Sequence, residues 1–115
     1  MSSEPAEQAP VYHLLLDLDE VPVTASALRL MLADEAHEPT IRRLAREVLA
    51  QLEEPADSRG VLTLSLAAQQ MKITHGAVRL LLNDLSREQA DERRLLWGII
   101  EKLPDEHVMR AITID

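Results

Sequence analysis

The feature that most constrains the fold of this chain is an internal duplication with a period of fifty residues. Shifted by fifty, Val23–Glu38 lies on Ile73–Glu88, and seven of the sixteen pairs are identical. They are Thr24/Thr74, Ala27/Ala77, Arg29/Arg79, Leu30/Leu80, Leu32/Leu82, Asp34/Asp84 and Glu38/Glu88. One inserted residue later, Arg42, Arg43, Leu44 and Leu52 fall on Arg93, Arg94, Leu95 and Leu103; upstream, Leu14 and Leu16 fall on Leu64 and Leu66. Charged and capping residues match as well as leucines, which shared composition alone does not produce. A repeat of this length holds one strand and two helices, a unit too small to bury both helix faces by itself. Two units facing each other share a core, which predicts a pseudo-two-fold domain or one that exchanges halves in a dimer.

Periodicity fills in the elements. Gly60–Leu66 alternates Leu62, Leu64 and Leu66 against Thr63 and Ser65, the mark of a half-buried strand. Val11–Asp19 satisfies both alternation (Tyr12, Leu14, Leu16, Leu18) and helical spacing (Val11, Leu14, Leu15, Leu18); its match to the later segment favours a strand. Ala111–Asp115 alternates again through Ile112 and Ile114 and reads as a closing strand. Four helices are expected. Thr24 is placed to cap one running to about Asp34, and Pro39 suits the first turn of another running to about Leu52. Thr74 opens a third to about Leu85, and Ser86 with Gln89 stands in capping-box spacing for a fourth to about Leu103, stopped by Pro104. Glu53–Gly60 is the linker. The expected architecture is therefore a mainly helical α+β domain, internally duplicated, with a small sheet and a pseudo-two-fold axis. Residues 1–10 form a disordered tail, residues 11–115 a single domain of two repeats (11–53 and 61–103), and residues 110–115 the closing strand.

Composition narrows the chemistry. With one Trp, one Tyr and no Phe, the chain lacks the stacking platforms that single-stranded nucleic acid requires. Its net charge is −8, so attraction to phosphate is not a property of the whole molecule. Only residues 58–103 carry a positive balance, +2. The absence of cysteine removes disulfides, thiolate zinc sites and cysteine nucleophiles. Four widely spaced histidines (His13, His37, His75, His107) offer no zinc-ligand spacing, and Asp17, Asp19 and Glu20 lack the rest of a calcium loop. No glycine-rich phosphate loop or nucleophile elbow occurs. The expectation is a non-catalytic chain with no metal and no cofactor. Without a signal-like segment or an apolar run long enough to span a bilayer, it is expected in the cytoplasm rather than in a membrane.

Leu64–Leu85 (LSLAAQQMKITHGAVRLLLNDL) places Ala68, Met71, Ile73 and Val78 where a helix, a tight turn at Lys72-Ile73 and a second helix from Thr74 would pack. In this it resembles the helix-turn-helix of bacterial transcription regulators, with a degenerate copy at residues 14–35. The resemblance implies a groove-facing second helix opened by Thr74, with Arg79 and Asn83 on base edges and His75 and Lys72 on phosphate together with Arg93 and Arg94. Two features pull away from DNA. Lys72 and Pro22 stand at the turn where the family commonly uses glycine, and Leu80, repeated as Leu30, lies on the would-be groove face. A helix carrying Ala77, Val78, Leu80, Leu81, Leu82 and Leu85 is apolar nearly all round, which predicts burial on nearly all sides.

The other polar feature is the pair Arg42-Arg43 and its counterpart Arg93-Arg94. These are solvated residues paired with nearby acids, or two symmetry-related basic spots for an acidic partner. Trp97 beside Gly98 adds an aromatic anchor of the kind enriched at interface centres. The favoured reading is a protein-interaction or assembly module, homodimeric, with Arg42, Arg43, Arg93, Arg94 and Trp97 as interface candidates. A helix-turn-helix DNA-binding regulator is the alternative.

Overall fold

The computed structural model of the chain describes residues 11–34, 36–55 and 57–114; the tail expected at residues 1–10 lies outside the described residues. The element order is β1 (Tyr12–Asp17), α1 (Glu20–Ala33), α2 (Pro39–Gln51), β2 (Val61–Leu66), α3 (Ala68–Asp84), α4 (Ala90–Lys102) and α5 (Glu106–Arg110). The fold is mainly helical α+β, with β1 and β2 forming a two-stranded antiparallel sheet.

The strand register makes the internal symmetry explicit. Leu14 pairs with Leu64, its mate under the fifty-residue shift, while Tyr12 pairs with Leu66 and Leu16 with Leu62. Rotation about an axis between Leu14 and Leu64 exchanges those flanking pairs, so the ladder has pseudo-two-fold symmetry. Leu14, Leu16, Leu62, Leu64 and Leu66 all point inward and are buried. Behind them α1 packs against α3, where Thr24, Ala27 and Leu28 meet the level of Thr74, Ala77 and Val78, all of them inaccessible. Alanine on both helices lets their backbones come close. The two threonines bury their hydroxyls without loss because each donates to a carbonyl one turn back: Thr24 Oγ1 to Glu20 O at 2.8 Å, and Thr74 Oγ1 to Gln70 O at 2.9 Å.

Neither threonine is a cap, and here the structure corrects the sequence reading. α1 starts at Glu20, whose Oε1 accepts the Asp17 N–H at 2.8 Å; Pro22 then sits in the first turn, where its missing N–H costs nothing. α3 starts at Ala68, and Gln70 Oε1 accepts the Ala67 N–H at 2.9 Å, the mate of the Glu20 contact. The turn expected at Lys72-Ile73 does not form, and one helix runs through it. Gln69, Gln70, Met71 and Lys72 are good helix formers with no breaker among them. Leu80 is likewise not enclosed: it is 39% exposed, on the arc of α3 shared with Gly76 and Asn83. At the start of α4, Ser86 is not the cap either. Its N–H donates to Gln89 Oε1 at 3.0 Å within a turn, and the helix begins at Ala90.

The two units are interlocked. The amide of Gln51, at the end of α2, binds both backbone groups of Ser65 on β2, each at 2.9 Å. Lys102, its mate at the end of α4, donates to the Leu15 carbonyl on β1 at 3.0 Å, and Leu15 is the mate of Ser65. The Tyr12 hydroxyl donates back to the Lys102 carbonyl. Each unit's last helix therefore closes the outer edge of the other unit's strand, which protects edges that would otherwise invite strand addition. The linker ends in a turn around Asp57, whose Oδ1 accepts the N–H groups of Arg59 and Val61, and Gly60 supplies the positive φ of +79°.

The closing strand expected at residues 110–115 is absent among the described residues. Asp105 caps α5 by accepting the Val108 N–H at 3.0 Å, and Met109 is buried. The following carbonyls are taken by α3 side chains: Lys72 Nζ donates to Ile112 O at 2.5 Å and Gln69 Nε2 to Thr113 O at 3.0 Å. With both sheet edges occupied, Ile112 and Ile114 pack against the core without a strand partner.

Candidate functional site

The arginine pairs divide into one structural and one surface residue each. Arg42 Nη1 donates to the carbonyls of Leu32 (2.7 Å) and Asp34 (3.3 Å), at the C-terminal end of α1. Arg93 Nη1 donates to the carbonyls of Leu82 (3.0 Å) and Leu85 (3.3 Å), at the end of α3. Leu32 and Leu82 are fifty-residue mates, so the same device occurs twice: a guanidinium from the next helix satisfies carbonyls that a helix end leaves open. This removes Arg42 and Arg93 as freely presented interface residues. Arg43 and Arg94 are exposed, Arg43 pairing with the half-buried Glu47 at 3.0 Å and Arg94 with the exposed Asp91 at 3.9 Å.

Trp97 lies one helical turn beyond Arg94 on the outer side of α4 and is 46% exposed. Its mate one repeat earlier, Arg46, is exposed too. Gly98 turns the other way: a Cβ there would stand 3.5 Å, an ordinary van der Waals contact, from Oε2 of the buried Glu20 carboxylate, whose Oε1 pairs with Lys102 Nζ at 2.5 Å. A second exposed apolar surface is the outer face of the sheet, where Leu15 is 47% exposed. It borders a shallow hollow of about 400 Å³ with His13, Asp17, Val61 and Lys102. Sequence reasoning passed over this face because alternation assigns it to solvent, and only the fold shows that nothing in the chain covers it among the described residues.

The five DNA-contact candidates share α3 but not one open face. Thr74 is fully buried and His75 nearly so. Lys72 is tied to Ile112, and Arg79 faces Glu106 of α5 at 3.9 Å. Asn83 alone of the five is exposed. The structure brings Lys72, His75 and Arg79 together with Glu106, Met109 and Arg110 around a cleft of about 270 Å³ between α3 and α5. Glu106 also binds Arg110 Nη2 at 2.5 Å. Burial lowers the His75 imidazole below its ordinary pKa, and the neighbouring Arg79 guanidinium lowers it further, while Glu106 pulls the other way. No protein-family model, curated protein or solved structure matches the chain. The α5 half of this cleft escaped sequence reasoning, which assigned no element to residues 104–109 and placed a strand at residues 110–115. The signal for a helix was Asp105 three residues before Val108, in N-cap spacing.

Among the described residues no group of three or more His, Asp or Glu side chains is placed to hold a metal ion. Nor is any helix long and apolar enough to cross a membrane. His13 Nδ1 and Ser65 Oγ stand 3.4 Å apart on the exposed sheet face.

Proposed function

We propose that the chain is a non-catalytic assembly module of the cytoplasm that pairs with a second copy of itself through the surface around Trp97. The observation that supports this is the placement of the chain's one tryptophan, nearly half exposed on the outer side of α4 one turn from Arg94. Large aromatic side chains with a neighbouring arginine are the residue types most enriched at the energetic centres of interfaces. Leu15 on the sheet face offers a second apolar surface for a larger assembly.

Because Trp97 is the only tryptophan, its fluorescence reports on this surface directly. The expected result is a blue shift of emission with rising protein concentration, parallel to a monomer–dimer transition in sedimentation velocity, with the sedimentation transition lost in Trp97→Ala. A monomer whose emission does not change with concentration would overturn the proposal. The DNA-regulator reading has less support, since Lys72 is held by a backbone carbonyl and Thr74 and His75 are buried. It predicts tight, salt-sensitive binding to mixed-sequence duplex DNA that Arg79→Ala removes; the assembly reading predicts weak binding or none.

A further inference from the structure

The cleft between α3 and α5 concentrates positive charge in a chain whose net charge is −8. Lys72, Arg79 and Arg110 line it, with Glu106 as the one carboxylate among the described residues and His75 held toward its neutral form by burial. The local balance is a surplus of two positive charges. Their donors are not used up. Lys72 gives one of its three N–H groups to Ile112 O. The Arg79 guanidinium stands 3.9 Å from Glu106, beyond hydrogen-bond length. Glu106 itself is a built-in anion already seated against Arg110 at 2.5 Å. At about 270 Å³ the cleft is smaller than the pockets that enclose drug-sized ligands.

We propose that this cleft binds a small phosphate dianion, as inorganic phosphate or the phosphoryl group of a small phosphomonoester, held by Lys72, Arg79 and Arg110 with Glu106 as internal competitor. A dianion balances the surplus of two charges where a monocarboxylate leaves one, and its oxygens accept from a guanidinium fork and an ammonium together. His75 lies on the wall of the cleft and senses the occupant. This site is separate from the Trp97 surface and does not depend on self-assembly.

The test titrates the folded chain with sodium phosphate and, separately, glycerol phosphate, at ionic strength held constant with chloride. Binding is read by calorimetry and by the NMR pH titration of the His75 imidazole. Saturable binding is expected, with the His75 midpoint rising because a dianion favours the imidazolium. Glu106→Gln should tighten binding about tenfold by removing the competing charge, and Arg79→Gln or Lys72→Gln should weaken it by about as much. Arg59→Gln, exposed in the turn before β2 and not among the residues that line the cleft, should leave it unchanged. Saturation by both probes assigns the site to the phosphoryl group, and saturation by glycerol phosphate alone assigns it to the monoester. Three results would each overturn the proposal: no saturable binding of either probe to a chain that retains its helical circular dichroism, binding indifferent to Arg79→Gln, or binding weakened by Glu106→Gln. An Arg79-dependent affinity for duplex DNA without binding of either small probe would overturn it as well.

Discussion

Within each arginine pair the structure separates a residue that holds two helices together from one that does not, and alanine substitution turns that distinction into a measurement. Arg93→Ala removes charged donors from the carbonyls of Leu82 and Leu85 at 3.0 and 3.3 Å. A hydrogen bond to a charged group contributes about 1.5–3 kcal/mol when its partner is left unmet. Arg93 is half-buried and its second contact is long, and water replaces part of what is lost. The expected net cost is therefore about 1–2 kcal/mol, or a fall in Tm of roughly 5–10 °C for a domain of this size. Arg42→Ala should cost the same, because its contacts to Leu32 and Asp34 repeat the geometry. Arg43→Ala and Arg94→Ala remove exposed ion pairs and should each change stability by less than about 0.5 kcal/mol.

The assay is urea unfolding followed by circular dichroism, with a common m-value across the four variants as the check that only stability has changed. Arg93→Lys should recover part of the loss, since an ammonium supplies charge without the reach of the guanidinium fork. The double variant Arg42→Ala/Arg93→Ala should show additive losses, to within about 0.5 kcal/mol, because the two caps share no partners. Four equal losses, or a larger loss at Arg43 and Arg94 than at Arg42 and Arg93, would refute the assignment.

Three further outcomes follow from the same geometry. His75 binds its proton more weakly folded than unfolded, where it titrates near 6.5; its contribution to stability is present above that pH and is lost as pH falls through the lowered folded value. Between pH 7.5 and 5, His75→Asn should thus lose less stability than the wild type, and parallel losses would contradict this. Fragments 11–57 and 58–114 should each be largely unfolded alone and gain helicity when mixed, since β1 and β2 find their pairing partners only in each other; a helical, cooperatively melting single fragment would count against interlocked units. Leu14→Ala and Leu64→Ala, both at the axis and inaccessible, should each cost about 2–5 kcal/mol in urea unfolding, and a loss under about 1 kcal/mol at either would mean the core is not closed there.

β2, α2 and α4 were legible because one-sided burial leaves a simple period: Leu62, Leu64 and Leu66 alternate, and Leu44, Val48 and Leu52 share a stripe that the fold buries; β1 fits two periods and was legible only through its match to β2. α1 and α3 were legible as helices but not in their extent. A threonine before an apolar run looks like a cap whether it opens a helix or sits inside one with its hydroxyl bonded one turn back. Only the positions of Glu20 and Gln70, whose side chains reach back over the true starts, distinguish the two cases. The helix-turn-helix spacing misled about the turn for a related reason. α3 touches α1, α2, α4 and β2, and a helix enclosed on several sides carries apolar residues at the spacings expected of two shorter helices joined by a turn. The closing strand failed for a long-range reason, since whether Ile112-Thr113-Ile114 finds a sheet edge depends on Gln51 and Lys102 having already closed both.

The duplication also sorts the side chains by role. Several identical mates hold the fold: Thr24 and Thr74 back-bond in the core, Arg42 and Arg93 cap helix ends, and Leu14 and Leu64 meet at the axis. A residue needed at both symmetric positions is fixed twice by one geometry, so either copy changes only at a cost in stability. The surfaces argued to bind something lie mostly where the copies differ, Arg79 and Arg94 being the exceptions, since their mates Arg29 and Arg43 are also arginine. Trp97 answers to Arg46, Leu15 to Ser65, His75 to Ala25 and Lys72 to Pro22. The cleft wall formed by α5 answers to nothing in the first unit, where the chain turns at Asp57–Gly60 toward β2 instead of folding back over α1. A two-fold scaffold whose binding surfaces were equally two-fold would present each of them twice. Among the described residues this chain presents Trp97 and the basic cleft once each, the first on α4 and the second between α3 and α5. A second copy docking through Trp97 would thus close a dimer and leave no mate of that surface free to extend it into a chain.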